Sequence, residues 1–302
     1  MFKEIVLAVT PSKRSEAAVE AAIGLARKHN AGLVITYVYS PLFSEFHFKE
    51  RSESILKKTG RIKEELQRRY ARKTNDLSQC SYFVVQGDPA TEILRISRMV
   101  RSDLIVMGPH PLKYEKKRTR LKKFKTAEKK VSTMERVSQL AKCPVMVVSH
   151  KISEDQLDYG HIIVATDFSQ YAEHALHYAA RLAGRYKAKL LLLNVLDTDS
   201  QGQALSGAEI RKRIKLAEEK IEQELLPQLK DVKKVSYECR PGRPFEEILK
   251  LAGECRADLV VMAHHSREQD PESAVLGSTV AKVALDSKCP TISINKDFDL
   301  PG

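Results

Sequence analysis

The feature that most constrains this chain is an internal repeat, which divides its 302 residues into two similar halves. A strand-like apolar stretch, a polar loop and an Ala-rich segment occur in that order at residues 5–26 and again at 162–183. An Asp-Leu-[Ile/Val]-Val-Met strand recurs at 103–107 and 258–262, and both halves close on Lys-Cys-Pro, at 142–144 and 288–290. Self-similarity on this scale predicts two copies of one fold.

Each half alternates strand patterns with helix patterns. Residues 31–39 and 190–195 are mostly apolar, as in parallel strands that helices cover on both faces. Between strands, apolar residues recur at helical spacing; they are Ile55, Thr59, Ile62, Leu66 and Tyr70 in the first half and Ile210, Ile214, Ala217, Ile221 and Leu225 in the second. With right-handed crossovers, this predicts an α/β class of two flavodoxin-like domains, each a five-stranded parallel sheet of order 3-2-1-4-5 with helices on both faces.

Domain boundaries follow from the same landmarks. We expect a first domain at residues 1–150 and a second at 158–298, with the polar stretch 150–161 as the linker because it has no apolar period. In such sheets ligands bind where the strand order reverses, beyond the carboxyl ends of strands 1 and 4. The candidate clefts are therefore at Thr10 and Gly108 in the first half and at Asp167 and Ala263 in the second.

Several of these motifs together resemble the universal stress protein family. The shared features are an Asp-x-Ser loop before an Ala-rich helix, the strand at 258–262, the Gly-Ser-Thr segment at 277–279 and the Cys-Pro strand at the end of each half. The resemblance covers nearly the whole chain, twice. It implies domains of the adenine nucleotide alpha hydrolase-like type that pair through their fifth strands about a pseudo-twofold axis, and leaves room for a homodimer.

In the nucleotide-binding branch of that family, an Asp after strand 1 and backbone at the end of strand 2 hold adenosine, and a G-x2-G-x9-G-[ST] loop wraps the phosphates. Glycines let backbone N–H groups approach an anion at the start of the following helix. The resemblance implies an ATP or AMP site in the second half, formed by Asp167, Val195, Ala263, Ser266, Gly277, Ser278 and Thr279. Ala263 and Ser266 replace the first two glycines, and the loop is one residue longer than the family pattern.

The first half departs further from this pattern. Thr10 replaces the Asp, Pro111 the second glycine and Val131 the third, while Gly108 is kept. Because proline has no N–H to donate, the sequence predicts no nucleotide site of the family type in this half. Asp167 has a second explanation, since an Asp-x-Ser at a helix start ordinarily serves as a cap.

A basic segment at residues 111–130 occupies the place of the first-half phosphate loop. It holds ten Lys or Arg against Glu115 and Glu128, within a chain of net charge +12. Clustered cations of this kind favour binding to nucleic acid, polyphosphate, an anionic membrane or a partner protein, through residues that include Lys116, Lys117, Arg118 and Lys122. The alternative is a solvated loop whose later part, from Leu121 to Val131, extends the fourth helix backwards.

The chain carries none of the common catalytic motifs, among them G-x-S-x-G, G-x4-G-K-[ST] and H-E-x-x-H. The adjacent His264 and His265 are expected to be structural or to lie beside a nucleotide, because no further ligand follows at metal spacing. Five cysteines without a C-x-x-C pair favour reduced structural thiols. With no leader or membrane-spanning pattern at the start, we expect a cytoplasmic regulatory protein; a weak ATPase and a polyanion-binding protein are the alternatives.

The basic segment yields a prediction that is independent of any fold. Changing Lys116, Lys117, Arg118 and Lys122 to Gln should weaken binding to an anionic partner and leave folding unchanged, because exposed substitutions shift stability by only about 0.5 kcal/mol. For duplex DNA the slope of log affinity against log salt should fall by roughly 0.9 for each phosphate that is no longer neutralised. Identical binding curves for both proteins would reduce the segment to a solvated loop.

Overall fold

The computed structural model describes residues 2–10, 15–39, 55–109, 132–152, 157–198, 205–264, 278–295 and 298. The first half comprises β1 (Glu4–Ala8), α1 (Glu16–His29), β2 (Gly32–Tyr39), α2 (Ile55–Thr74), β3 (Cys80–Gln86), α3 (Pro89–Val100), β4 (Leu104–Met107), α4 (Thr133–Leu140) and β5 (Val145–Val147). The second comprises β6 (His161–Thr166), α5 (Gln170–Tyr186), β7 (Lys189–Asp197), α6 (Gly207–Lys220), β8 (Val235–Gly242), α7 (Pro244–Glu254), β9 (Leu259–Ala263), α8 (Ser278–Asp286) and β10 (Thr291–Ile294).

The strands form one ten-stranded sheet in the order β3-β2-β1-β4-β5-β10-β9-β6-β7-β8. Within each half all pairings are parallel, and the order is the predicted 3-2-1-4-5. The predicted fold class is therefore confirmed. β5 and β10 pair antiparallel, which joins the two half-sheets and points their carboxyl edges in opposite directions.

Apolar side chains cover both faces of the sheet. On one face α1, α2, α5 and α6 with its continuation to residue 229 pack against the strands, and on the other α3, α4, α7 and α8 do so. Each cluster contains residues from both halves. Because every strand alternates its side chains between the faces, strands covered on both sides must be mostly apolar, which explains the apolar runs in β2 and β7.

The start of α4 corrects one interpretation of the basic segment. Ser132 has an extended backbone, with φ −69° and ψ 159°, and forms a capping box with Glu135. The Ser132 Oγ accepts from the Glu135 N–H at 3.2 Å, and the Glu135 carboxylate accepts from the Ser132 N–H at 2.7 Å. α4 therefore begins at Thr133 and is not a backward extension of a helix from residues 121–131, which lie outside the described residues.

The seam between the halves follows the predicted pairing through the fifth strands. Val145, Met146 and Ile292 are completely buried, and Ile292 lies opposite Met146 in the register. A polar residue shortly after each strand reaches across to the other half. The Asn295 amide donates to the carbonyl of Gln139 at 2.6 Å, and the Ser149 hydroxyl donates to the carbonyl of Ala284. The seam is thus a continuous core with polar contacts at both ends of the strand pair.

The carboxyl ends of α1 and α5 also meet across the seam. The His29 Nε2 lies 2.6 Å from the Tyr186 hydroxyl. Phe2 packs edge-on against His29 with ring centroids 5.0 Å apart, and Tyr159 packs in the same way against Tyr186 at 4.9 Å. The Lys28 ammonium lies 4.7 Å from the centre of the Tyr186 ring. These contacts form a second joint between the halves, and the sequence pattern did not predict it.

The described part of the predicted linker contributes three side chains to the core. Ile152, Leu157 and Tyr159 are buried in the core that both halves share. A side chain at Gly24 would collide with Leu157, so α1 approaches this stretch closely. The carbonyl of Leu157 accepts from the Lys28 ammonium at 3.1 Å. The prediction missed this packing because three irregularly spaced apolar residues leave no periodic signal.

Among the described residues, no helix is long and apolar enough to cross a membrane. All five cysteines are free, and Cys143 and Cys289 are buried at equivalent places beside Ser hydroxyls. Burial raises the pKa of every one of the five thiols, to about 11 for Cys239 and Cys289. They stay protonated at neutral pH and are poor nucleophiles, as expected of structural thiols.

The joint at His29 generates a prediction about pH. Burial, followed by the charges of the amino terminus, Arg185 and Lys28, lowers the pKa of His29 to about 4. The unfolded chain, with an ordinary histidine pKa of about 6.5, binds a proton that the folded chain does not. The free energy of unfolding should therefore fall as pH drops from about 6.5 towards 4.

His29→Gln removes this titration and should flatten the pH dependence by about 0.5 to 1 kcal/mol between pH 6 and 5, after allowing for the partial exposure of the ring. Denaturant unfolding at several pH values measures it. An equal slope in the variant would show that His29 is not the group responsible.

Candidate functional site

Three of the predicted nucleotide residues lie at the carboxyl ends of three neighbouring strands. β9, β6 and β7 are adjacent, and the register sets Thr166 opposite Asn194 and Ala165 opposite Met262. One residue further on, Asp167 is level with Val195, while Ala263 is level with Thr166, so the three lie within one residue step of each other at the carboxyl edge, on strands about 4.8 Å apart. This is the switch point of the second half, so the structure brings these three residues together where the strand order predicts a ligand.

The loop that carries Asp167 is held by its own hydrogen bonds. The Thr166 hydroxyl accepts from the Phe168 N–H at 3.1 Å, and the Asp167 Oδ1 accepts from the Ser169 N–H at 3.0 Å. Ser169 then caps α5, since its Oγ accepts from the Ala172 N–H at 3.2 Å. The helix cap is thus Ser169, and Asp167 closes the turn before it. Asp167 is exposed, and its other oxygen makes no hydrogen bond within the described part of the chain.

Asn194 supports this loop from the next strand and was missed in the sequence. It is buried, and its side-chain amide donates to the carbonyl of Thr166 at 2.9 Å. A buried amide in an otherwise apolar strand needs a partner, and the turning backbone after β6 supplies one. The signal was present, because Asn194 interrupts the leucine run of β7. The equivalent residue in the first half is Tyr37.

Phe168 is the second residue that sequence reasoning missed. Its φ is +62°, in the left-handed region that a side chain with a β-carbon rarely adopts. The Lys220 ammonium lies 4.8 Å from the centre of its ring. The conformation turns the chain sharply from β6 into α5 and presents the Asp167 carboxylate outwards. Nothing in the residue type predicts this backbone state, which is held by the hydrogen bonds from the Phe168 N–H to the Thr166 hydroxyl and from the Ser169 N–H to the Asp167 carboxylate.

The phosphate side of the predicted site is described in part. α8 begins at Ser278 and follows β9, so its amino end lies at the same carboxyl edge as Ala263. Thr279 is half-buried in its first turn. Helix amino ends carry unsatisfied N–H groups and a partial positive charge that suit an anion. Ser266 and Gly277 lie outside the described residues.

The first-half edge has a different construction. Thr10 stands in place of Asp167, and its carbonyl accepts from the Ser15 hydroxyl at 2.7 Å. Gly108 is buried at the end of β4, where the Val148 N–H donates to the carbonyl of Met107 at 3.0 Å. Pro111 and Val131 lie outside the described residues, as do Lys116, Lys117, Arg118 and Lys122 of the basic segment.

His264 is part of the frame of the second-half edge. It is buried, and its backbone N–H donates to the carbonyl of Ile294 at 2.7 Å, extending the pairing of β9 with β10. His265 lies outside the described residues. Within the part of the chain that the structure covers, no group of three or more His, Cys, Asp or Glu side chains is placed to hold a metal ion.

The fold and this edge define a class of protein: a tandem of doubly wound α/β domains fused through their fifth strands. The family model for the universal stress protein family matches residues 1–149 and again residues 158–294. The chain therefore belongs to the universal stress protein family, as a member with two copies of the family domain.

Individual relatives agree with this assignment. A universal stress protein of Methanocaldococcus jannaschii is 27% identical over 146 residues, which are 46% of this chain and 83% of the relative. One of Thermus aquaticus is 30% identical over 115 residues, 37% of this chain and 80% of the relative. The structure of a universal stress protein from Archaeoglobus fulgidus matches with a TM-score of 0.65 and 19% identity, covering 97% of this chain and 96% of that one. At that identity the match establishes the fold.

The backbone of Phe168 makes a local prediction. Phe168→Gly and Phe168→Ala both remove the ring, but only Gly adopts a positive φ without cost, so the Gly variant should unfold with a free energy about 1 kcal/mol higher than the Ala variant. Denaturant unfolding of both variants measures the difference. At exposed Lys212 inside α6 the order should reverse, with Ala better than Gly by about 1 kcal/mol. The same order at both positions would contradict a left-handed Phe168.

Proposed function

We propose that this chain is a cytoplasmic regulatory protein that senses an adenine nucleotide, ATP or AMP, in its second half and responds by changing its affinity for a protein partner. The observation that carries the proposal is that Asp167, Val195 and Ala263 lie within one residue step of each other at one switch point. In the first half, Thr10 replaces the carboxylate. Because the two halves share a fold, this difference affects the candidate ligand sites and leaves the architecture unchanged.

The proposed contacts divide the site into two parts. The base and ribose lie near Asp167, whose outward oxygen is able to accept from a hydroxyl, and near the Val195 backbone. The phosphates lie near Ser266, Gly277, Ser278 and Thr279, at the amino end of α8. Support for this division comes from the family resemblance and from the favourable interaction of an anion with a helix amino end.

A regulatory function is favoured over the weak-ATPase alternative by the contacts of the site. Asp167 is tied to the turn before α5, and none of the described neighbours forms a base hydrogen-bonded to a nucleophile. A measurement of phosphate release in the sample used for binding separates the alternatives. Turnover that disappears in Asp167→Asn and Ser278→Ala would favour the enzyme.

The basic segment adds a second proposed contact. The described residues stop at Pro109, after β4, and resume at Ser132, before α4, and the basic segment falls between them. The proposed phosphate loop of the second half falls at the equivalent place in the chain. We expect Lys116, Lys117, Arg118 and Lys122 to attract an anionic partner to the first-half edge. The two halves would then have different roles, with a ligand bound by one and a partner held by the other.

Calorimetric titration with ATP and AMP tests the nucleotide proposal. We expect no more than one site per chain, and at least about a tenfold loss of affinity, or about 1.4 kcal/mol, for both Asp167→Asn and Gly277→Val. Asp167→Asn keeps an acceptor for the Ser169 N–H, so the turn is preserved. Thr10→Ala, the matched change in the first half, should leave binding unaltered. Two sites per chain, or full affinity in Gly277→Val, would contradict the assignment.

A further inference from the structure

α2 carries far more positive charge than its position in the fold requires. Of its 20 residues, eight are Lys or Arg and two, Glu64 and Glu65, are acidic. Its buried side is formed by Ile62, Leu66 and Tyr70, which pack into the core shared with α1. The charged residues therefore lie on the flanks and on the outer surface, where packing does not determine their identity.

Four of these cations form one row on the outer surface, which we call the α2 row. At 100° per residue they fall within a sector of roughly 60°, opposite the buried side, and they span about 22 Å along the helix axis. All four side chains are exposed. The members of the α2 row are Lys57, Arg61, Arg68 and Arg72. Glu64 and Glu65 border this sector on either side, so the row and these two neighbours retain about two net positive charges.

Ion pairing does not account for the carboxyl-terminal half of the row. Arg69 and Lys73, on the flank towards α1, bind Glu16 at 2.6 and 3.3 Å. Arg68 and Arg72 immediately precede Arg69 and Lys73 in the chain. They make no ion pair with the described residues. Like charges four residues apart cost an isolated helix roughly 0.2 to 0.5 kcal/mol per pair, and the row contains two such pairs. Arg68 and Arg72 form one of these pairs, and no ion pair with the described part of the chain offsets their repulsion.

The equivalent helix of the second half provides an internal comparison. α6 and its continuation to Leu225 contain five cations and five glutamates. Three of its cations pair with glutamates four residues away, at 2.9, 3.9 and 3.7 Å. Lys57 of the row has Lys212 as its counterpart, but Leu216, Gln223 and Pro227 stand where the other three cations stand in α2. The same fold thus holds a charge-balanced helix in one half and a basic one in the other.

We propose that the α2 row binds the phosphodiester backbone of a nucleic-acid duplex without regard to base sequence. A duplex presents about one negative charge per 1.7 Å of its axis, a density that suits a straight row of cations on a rigid helix. The row holds no aromatic side chain on which unpaired bases could stack. The exposed Ile55 and Leu56 lie outside its sector, so the row offers no apolar group to a lipid bilayer.

The proposal is independent of the nucleotide site and of the basic segment. Its test uses the full chain and a fluorescent duplex of mixed sequence, about 20 base pairs long, with binding followed by anisotropy from about 50 to 300 mM salt. The variant changes all four residues of the α2 row to Gln. We expect affinity at low salt to fall at least about tenfold, and the slope of log affinity against log salt to decrease by roughly 0.9 for each phosphate that the row neutralises.

A matched control removes the same net charge from the second half. It changes four exposed cations on and after α6 to Gln: Arg211, Lys212, Lys215 and Lys230. This control should bind the duplex within about twofold of the unchanged protein, because the charges that it removes lie outside the α2 row. Equal losses in both variants would mean that net charge alone drives binding, and would overturn the proposal.

A charge-preserving variant distinguishes loss of charge from loss of structure. Arg61→Lys, Arg68→Lys and Arg72→Lys together should keep most of the affinity, because phosphate attracts either cation. Both α2 variants should also unfold at the same temperature as the unchanged protein to within a few degrees. Loss of affinity in the Lys variant as severe as in the Gln variant would point to damaged structure and would overturn the assignment.

Two further measurements identify the source of the anion. Vesicles of phosphatidylcholine with phosphatidylserine should bind no more weakly to the Gln variant than to the unchanged protein. Vesicle binding that depends on the row, with duplex binding that does not, would assign the row to lipid. Duplex binding that survives the α2 change but disappears in the Lys116, Lys117, Arg118 and Lys122 variant would place the interaction in the basic segment. Either result overturns the proposal.

Discussion

The antiparallel pairing of β5 with β10 is the contact on which the rest of the structure depends. The two strands have three and four residues, too short to be stable as free edges, and each would otherwise expose unpaired backbone groups. Their pairing satisfies the backbone N–H and C=O groups along both strands and makes one sheet of ten strands. Val145 and Ile292 are completely shielded from water as a result. The two halves therefore share a core, and either half alone would expose part of that core to water.

The same pairing arranges the functional edges. Because β5 and β10 run in opposite directions, the carboxyl edges of the two half-sheets point away from each other. The nucleotide proposed at Asp167 and the partner proposed at the first-half edge therefore occupy separate places on the molecule. Communication between them would have to pass through the seam, where Asn295 and Ser149 hydrogen-bond across to the opposite half and His29 contacts Tyr186.

Duplication has allowed the halves to diverge in charge while the frame is kept. The core positions of β1 and β6 are equally apolar, and Cys143 and Cys289 occupy equivalent buried places. At the surface the halves differ. The first has Thr10 in place of an acid and an unbalanced row of cations on α2, whereas the second has Asp167 and a self-paired α6. Buried positions are constrained by packing density, and exposed ones are free to change with function.

Local pattern was sufficient for the class and the strand order, because apolar periodicity and crossover handedness are encoded in neighbouring residues. It also placed Asp167, Val195 and Ala263 at one edge. The pairing of the fifth strands was predicted from the family resemblance. Tertiary structure alone decided the left-handed backbone of Phe168, the support of that loop by Asn194, the burial of Leu157 and the contact of His29 with Tyr186. These features join residues far apart in the chain, or force a backbone state against the preference of the side chain, so local pattern does not determine them; only Asn194 leaves a trace, as the polar residue in the leucine run of β7.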